Sequence, residues 1–345
     1  MKTEIYQVNK INPQPFYIKL ASDVICAGGT VAFPTETVYG IGANALDYKA
    51  AKMIYEAKGR HSDNPLIVHI NEISQLKKIA VNIPLISEPL IRTFWPGPIT
   101  MIFKKSAAVP DATTGGLDTI AIRMPRNKIS LALIKESGCP IAAPSANISG
   151  KPSPTSADHV IKDLDGKVNI ILDGGSTQIG IESTVIDLTE QIPILLRPGA
   201  VTLETIKKTI GEVNVDPSIL GNCSEISQKS PGMKYNHYSP NAEVILVEGS
   251  ESNKRKKIGE LVGNLIIKNK KVGVMTTDKS FQCGAHLIKF MGSNYESIAR
   301  DLFGNLRFAD YYGVDTIIVE GIDDKEMGLA IMNRLRKAAD IKIIT

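Results

Sequence analysis

A polar stretch without apolar periodicity, residues 216–240, divides the chain into two parts whose strand-like runs are spaced differently. It carries two tyrosines, Tyr235 and Tyr238, which are unusual in a passive tether. A chain of 345 residues is also longer than one core usually supports. The sequence therefore predicts two domains, 1–215 and 241–345, joined by an ordered linker that is expected to cover the active site.

Strand-like apolar runs outnumber helical patterns before the linker, and their spacing is irregular. Examples are TVAFP (30–34), TIAIRM (119–124) and STVIDL (183–188). Residues 48–58 instead have helical periodicity, with Asp47 as the expected N-cap. This mixture predicts an α/β domain built on a mixed sheet, because a doubly wound parallel sheet would alternate more regularly.

The order and spacing of apolar runs and helical patterns change after the linker. Apolar runs at 244–248, 271–275 and 316–321 alternate with helical patterns, as in βαβ units. We expect a small parallel sheet flanked by helices. No glycine-rich phosphate loop follows these runs, so this domain is not expected to bind a nucleotide alone.

The composition is that of an ordinary globular protein, with 43% hydrophobic and 22% charged residues. No apolar run approaches the roughly 20 residues that span a bilayer, so we expect a cytoplasmic protein without membrane contact. The four cysteines form no CxxC pair, which argues against a zinc or disulfide scaffold. A net charge of +4 suits a small anionic ligand better than a long nucleic acid.

A cationic segment follows the helix at 48–58 and contains Lys58, Arg60, Ser62 and Asn64. Helix C-termini favour cations in any case, so a solvated cap is one interpretation. The other is a triphosphate cradle, because arginine offers a planar fork and lysine a point charge.

The run FPTETVYGIGANA carries a second candidate site. Gly40 and Gly42 imitate a dinucleotide fingerprint, but PTETVY separates them from the strand, so we interpret them as a tight turn. Thr35 ends the strand, where ligands commonly bind, and is a candidate ligand hydroxyl.

Two polar residues interrupt apolar strands. His69, in PLIVHI, is either a satisfied core residue or a substrate contact. Arg123 shares a strand face with Thr119, and a charge there needs an anion or water. Its partner is either an acidic side chain or a ligand carboxylate.

The loop at 142–155 is rich in hydroxyl and amide groups, including Ser145 and Ser153, and suits phosphate and ribose oxygens. Such loops are also common without function. Ser183 and Arg197 lie at a strand start and a strand end.

Several catalytic signatures are missing from the sequence: GxxxxGK[ST], HExxH, GxSxG and the kinase motifs. An enzyme of this kind that uses phosphates would therefore work by positioning and charge neutralisation, without a protein nucleophile.

Taken together and in order, the motifs resemble the YrdC-like family in its longer, two-domain form, from about Ile11 to Ile344. They are FPTETVYGIGANA, KGRHSDNPLIVHI, FWPGPITMIF, AIRMP, PIAAPSAN, GIESTVID and LLRPGA. The resemblance implies an N-terminal twisted mixed sheet with a large concave cavity and a smaller C-terminal Rossmann-like α/β domain.

The resemblance also implies an activity. It is the synthesis of L-threonylcarbamoyladenylate from L-threonine, bicarbonate and ATP with release of pyrophosphate, for tRNA modification next to the anticodon. Mg²⁺ is expected with the triphosphate, and no metal site formed by side chains. A threonylcarbamoyl transferase complex is the expected downstream partner, and tRNA is not expected as a tight direct ligand.

Site residues follow from the same resemblance. Threonine would be held by Thr35, His69, Arg123 and Ser183. ATP would be held by Arg60, Asn64, Thr119, Ala143, Ser145, Ser153 and Arg197, with Tyr235 and Asn236 of the linker closing over it. Lys58, Arg60 and Ser62 would serve catalysis by neutralising phosphate or bicarbonate charge.

Two other functions remain alternatives. One is carbamoyl transfer through carbamoyl-adenylate, as in hydrogenase-maturation proteins, whose longer chains carry acylphosphatase and zinc-finger segments that this sequence lacks. The other is an RNA-binding or ribosome-assembly module, against which stands the lack of aromatic stacking signatures and of a strongly basic face.

Overall fold

The computed structural model describes residues 2–220 and 238–345. They form two units, one containing 2–149 and 153–220 and the other containing 150–152 and 238–345. Most of the predicted linker, with Tyr235 and Asn236, lies outside the described residues. The domain boundaries at 215 and 241 stay a prediction.

The first unit has twelve strands, eight α-helices and one short 3-10 helix (Pro217–Leu220) in its described residues. The strands are β1 (Glu4–Gln7), β2 (Val31–Pro34), β3 (Tyr39–Asn44), β4 (Ile67–His69), β5 (Ala80–Val81), β6 (Ile99–Lys105), β7 (Thr119–Arg123), β8 (Ile141–Ala142), β9 (Ile170–Asp173), β10 (Thr184–Asp187), β11 (Ile194–Arg197) and β12 (Asn214–Val215). The helices are α1 (Pro15–Cys26), α2 (Tyr48–Lys58), α3 (Ile73–Ile79), α4 (Ser87–Phe94), α5 (Asp111–Thr114), α6 (Lys128–Ser137), α7 (Ala157–Leu164) and α8 (Leu203–Ile210).

These strands form one sheet in the order β1-β9-β2-β3-β8-β4-β7-β6-β10-β11-β12, with β5 paired to β6. The sheet contains both parallel pairs, such as β4 with β7, and antiparallel pairs, such as β6 with β7. The predicted mixed sheet is confirmed.

Two apolar clusters belong to this sheet. The larger packs helices α1 and α6 against β2, β8 and β9. The smaller belongs to the other half of the sheet and comprises Ile67, Ile102, Ala121, Val185 and Leu196. Because alternate residues of a strand share a face, Arg123 projects from the same side of β7 as Ala121 of this smaller apolar cluster.

The second unit contains β13 (Glu243–Glu248), α9 (Glu251–Ile267), β14 (Val272–Thr276), β15 (Leu287–Phe290), α10 (Tyr295–Tyr311), β16 (Thr316–Glu320), α11 (Met327–Ala338) and β17 (Ile341–Ile344). Its sheet has the order β15-β14-β16-β13-β17, and every pair is parallel. Helix α9 packs against three of these strands. The predicted parallel α/β domain is confirmed. Among all the described residues, no helix is long and apolar enough to cross a bilayer.

Helix α2 shows how local sequence positions the site. Asp47 accepts hydrogen bonds from the backbone N–H groups of Lys49 and Ala50, which confirms it as the N-cap. The helix ends at Gly59, whose φ of 60° is left-handed and favours glycine. Lys58 is thereby fixed in the last turn, and Arg60 enters the irregular segment that leads to β4.

Candidate functional site

The guanidinium of Arg123 is buried at the end of β7, with 4% of its surface exposed. Nη1 donates to Thr37 Oγ1 at 2.9 Å, and Nε donates to the backbone oxygen of Gly97 at 3.2 Å. Nη2 lies 2.7 Å from Oε1 of Glu36, which is 1% exposed. The structure thus supplies the acidic partner that sequence reasoning left open.

The turn Pro34–Val38 presents these groups. Thr35 Oγ1 accepts from the N–H groups of Thr37 and Val38 and lies 2.6 Å from the oxygen of Val38, to which it donates. The backbone oxygen of Glu36 accepts from Ile179 N at 2.9 Å. In this structure Thr35 holds the turn, and the turn fixes Glu36 and Thr37.

His69 ends β4 and is the register neighbour of Arg123. Burial, and then the charge of Arg123, lower its pKa from 6.5 to about 3. Its Nδ1 has no hydrogen-bond partner among the described residues, and its ring stands edge-on to Phe33. The imidazole is therefore neutral near pH 7 and can offer a hydrogen bond to a ligand, but no charge.

Ser183 and Arg197 meet where β10 begins and β11 ends. Arg197 donates from Nε to the Ser183 backbone oxygen at 3.0 Å and from Nη2 to Ser183 Oγ at 3.2 Å. Ser183 Oγ also lies 2.7 Å from Thr100 Oγ1. A side chain at Gly199 would approach Thr184 N to 2.4 Å, so only glycine permits this close packing.

Lys58 is 1% exposed, and its ammonium donates to the backbone oxygens of Ser145 and Asn147, each at 2.5 Å. Ser149 N donates in turn to the oxygen of Lys58 at 2.9 Å. Lys58 therefore fastens the loop after β8 to the end of α2.

Arg60 is half-buried, and its side chain lies along the turn that precedes β4. Its Nε donates to the oxygen of Asn64 at 3.2 Å and its Nη2 to that of Pro65 at 3.1 Å. Asn64 is buried, whereas Ser62 is exposed. The guanidinium thus contacts the backbone of Asn64, and Ser62 lies at the surface.

The remaining candidates lie on β7 and around β8. Ala143 N donates to the oxygen of Ile67 at 2.8 Å, and Ser145 forms a bridge with Gly40. Ser153 is buried and donates to Glu182 at 2.5 Å. Thr119 begins β7 and is buried.

The structure thus brings predicted residues together in four groups. The first joins Thr35, His69 and Arg123, the second joins Ser183 and Arg197, the third joins Lys58 and Ser145, and the fourth joins Arg60 and Asn64. Sequence reasoning missed Glu36, Thr37, Thr100, Asn147 and Glu182. For Glu36 a signal existed, since PTET puts an acid between two threonines directly after a fully buried strand.

Among residues 2–220 and 238–345, no cluster of three or more His, Cys, Asp or Glu side chains could hold a metal ion.

Two family models match successive parts of the chain. Residues 23–199 match the family model of Sua5, YciO and YrdC proteins, described as "Telomere recombination". Residues 201–340 match the model described as "Threonylcarbamoyl-AMP synthase, C-terminal domain".

Two relatives match along nearly the whole chain. A threonylcarbamoyl-AMP synthase of Pyrococcus abyssi is 54% identical over 95% of each chain. One of Bacillus subtilis is 48% identical over 95% of this chain and 94% of that protein. The crystal structure of P. abyssi Sua5 complexed with L-threonine superposes with a TM-score of 0.95 at 52% identity, covering 99% of this chain and 100% of that one.

Proposed function

This chain belongs to the Sua5/YciO/YrdC family, and we propose that it is a threonylcarbamoyl-AMP synthase. It would join L-threonine, bicarbonate and ATP into threonylcarbamoyl-AMP and release pyrophosphate. The product would serve the modification of tRNA next to the anticodon. The named activity of the P. abyssi and B. subtilis relatives supports this proposal.

The observation that carries the proposal is the buried Arg123 fork beside the neutral His69. A guanidinium is suited to a carboxylate, and a neutral imidazole adds a hydrogen bond without a competing charge. The P. abyssi protein of the same fold was crystallised with L-threonine. We therefore assign threonine to Thr35, His69, Arg123 and Ser183.

The nucleotide would lie along the two arginines outside that pocket. Arg60 and Arg197 supply charge for the phosphates, and buried Lys58 orders the loop that carries Ser145. The proposed ATP-binding set is Arg60, Asn64, Thr119, Ala143, Ser145, Ser153, Arg197, Tyr235 and Asn236. Tyr235 and Asn236 are assigned from the sequence resemblance alone.

The chemistry needs no protein nucleophile. The threonine amine and bicarbonate give a carbamate and water, a carbamate oxygen attacks the α-phosphorus of ATP, and pyrophosphate leaves. The barrier lies in bringing two anions together, which preorganised cations relieve. Lys58 and Arg60, with Ser62 at the surface, are assigned this role.

Mg²⁺ is proposed to arrive with the triphosphate, coordinated mainly by phosphate oxygens and water. A threonylcarbamoyl transferase complex would take the labile product. A cytoplasmic location, and the division into 1–215, a linker at 216–240 and 241–345, are part of the same proposal.

The test is pyrophosphate release from ATP with threonine and bicarbonate omitted in turn. Release that requires both, with the adenylate detected alongside, is the expected result. Release that requires carbamoyl phosphate in place of threonine would instead favour carbamoyl transfer. RNA binding unaffected by ATP and threonine, without turnover, would favour the RNA-binding alternative.

A further inference from the structure

We propose that Glu36 and Arg123 together form a receptor for an amino-acid zwitterion. Arg123 takes the substrate carboxylate, and Glu36 accepts the substrate ammonium group. Without substrate, the two side chains neutralise each other. This inference rests on the proposed function, because it takes an α-amino acid to be the ligand of this pocket.

Burial is the first argument. Glu36 is 1% exposed and Arg123 is 4% exposed, so water solvates neither charge. Buried ions are costly unless paired and hydrogen-bonded. The pair is close, with 2.7 Å between Arg123 Nη2 and Glu36 Oε1.

Glu36 and Arg123 also have hydrogen-bonding capacity that the described residues do not use. The contact has the distance of an ion pair but not the alignment of a hydrogen bond. Arg123 Nη2 and both oxygens of Glu36 therefore lack a hydrogen-bond partner among the described residues. A carboxylate has about four acceptor positions, and a buried one without partners is unusual in a native structure. Donors from a ligand would fill it.

The pair is not needed to hold its own members. Arg123 is already positioned by Thr37 through Nη1 and by Gly97 through Nε. The backbone of Glu36 is held by Ile179. A purely structural role for the carboxylate therefore leaves its unused hydrogen-bonding capacity unexplained.

A zwitterion fits this arrangement. In an α-amino acid one carbon joins the ammonium and the carboxylate, so its receptor needs an anion and a cation side by side. When the ligand enters, each protein charge exchanges its partner for a ligand charge, and no buried ion is left unpaired. Glu36 would thus select amino acids over the corresponding hydroxy acids.

The test compares two ligands in two proteins by titration calorimetry. The ligands are L-threonine and its α-hydroxy analogue, in which a hydroxyl group replaces the amine. Glu36→Gln should weaken threonine binding by about tenfold or more, the usual size for a hydrogen bond to a charged group, and change binding of the analogue by less than about threefold. Equal weakening of both ligands would overturn the proposal, because Glu36 would then act only through Arg123.

Controls separate the possible failures. Asp23→Asn, at an exposed acid of α1, should bind both ligands as the unchanged protein does. If Glu36→Gln does not fold, Glu36→Asp is the second variant, because it shortens the side chain by one methylene and so moves the carboxylate away from the ligand. The Glu36→Asp protein should then prefer threonine over the analogue less strongly than the unchanged protein does. An unchanged preference would contradict the proposal. An unchanged protein that binds neither ligand would instead refute the proposed function.

Discussion

Arg197 donates two hydrogen bonds to Ser183, one to the backbone oxygen at 3.0 Å and one to Oγ at 3.2 Å. Arg197 is assigned to ATP and Ser183 to threonine, so this contact links the two halves of the proposed site. A substitution of Arg197 is therefore expected to weaken the binding of both threonine and ATP.

Arg197→Lys tests that link. Lysine keeps the charge but loses the planar fork that reaches both Ser183 atoms. We expect the KM for threonine and the KM for ATP each to rise by about tenfold, the cost of one hydrogen bond to a charged group. Pyrophosphate release with each substrate varied in turn measures this, and Arg92→Lys, at an exposed site on α4, is the matched control. A rise confined to ATP would show that Ser183 is held independently.

Arg60→Ala should nearly abolish ATP-dependent pyrophosphate release, by about a hundredfold or more, because a preorganised charge beside the phosphates is lost. The fold should persist, since Arg60 is half-buried and bonds mainly to the backbone of its own segment. Circular dichroism monitors the fold, and Arg92→Ala is the control. Near-normal turnover with a native spectrum would exclude the phosphate role.

The fold was predictable where the signal is local. The spacing of strand-like and helical runs predicted a mixed sheet before the linker and a parallel sheet after it. Asp47 was predicted as an N-cap from the helical pattern that directly follows it. Strand β1 was not foreseen, because EIYQ is mostly exposed and becomes a strand only by pairing with β9 far along the chain. The interpretation of Gly40 and Gly42 as a tight turn was wrong, because both lie within β3 and pair with β2, and a side chain at Gly42 would come within 2.6 Å of Phe33 and Ile141. Two-residue strands such as β5 and β12 are too short to show any period.

In the candidate site too, contacts between residues far apart in the sequence could not be predicted. The sequence identified Arg123 as a charge that needs a partner, and the motif order supplied its proposed role. It did not identify the partners, because Thr37 lies 86 residues away and only the folded sheet brings the two together. Lys58 was expected at phosphate, but the direction of its ammonium is set by loop carbonyls that no local pattern encodes.

Lys58→Met separates the two roles open to this residue. The variant keeps the aliphatic bulk but leaves two carbonyl oxygens without their donor. We expect a loss of about 1–3 kcal/mol in the free energy of unfolding and a higher KM for ATP, because the loop with Ser145 is no longer fastened. Urea unfolding and steady-state kinetics measure these. Unchanged stability with abolished turnover would mean that the ammonium serves phosphate alone.

Because of His69, the free energy of unfolding should depend on pH in the acidic range. Its pKa is about 3 in the folded protein, against 6.5 for an unperturbed imidazole, so below pH 6.5 the unfolded chain binds a proton that the native protein does not. The stabilisation is complete above that value and is lost as the pH falls towards about 3. The slope reaches about 1.4 kcal/mol per pH unit.

Between about pH 7.5 and about pH 5, the unchanged protein should therefore lose about 2 kcal/mol more unfolding free energy than His69→Gln, which has no titrating ring. Urea unfolding at both pH values gives the difference, and His61→Gln, at an exposed histidine, should follow the unchanged protein. Equal pH dependence in His69→Gln and the unchanged protein would show that the imidazole takes up its proton without unfolding.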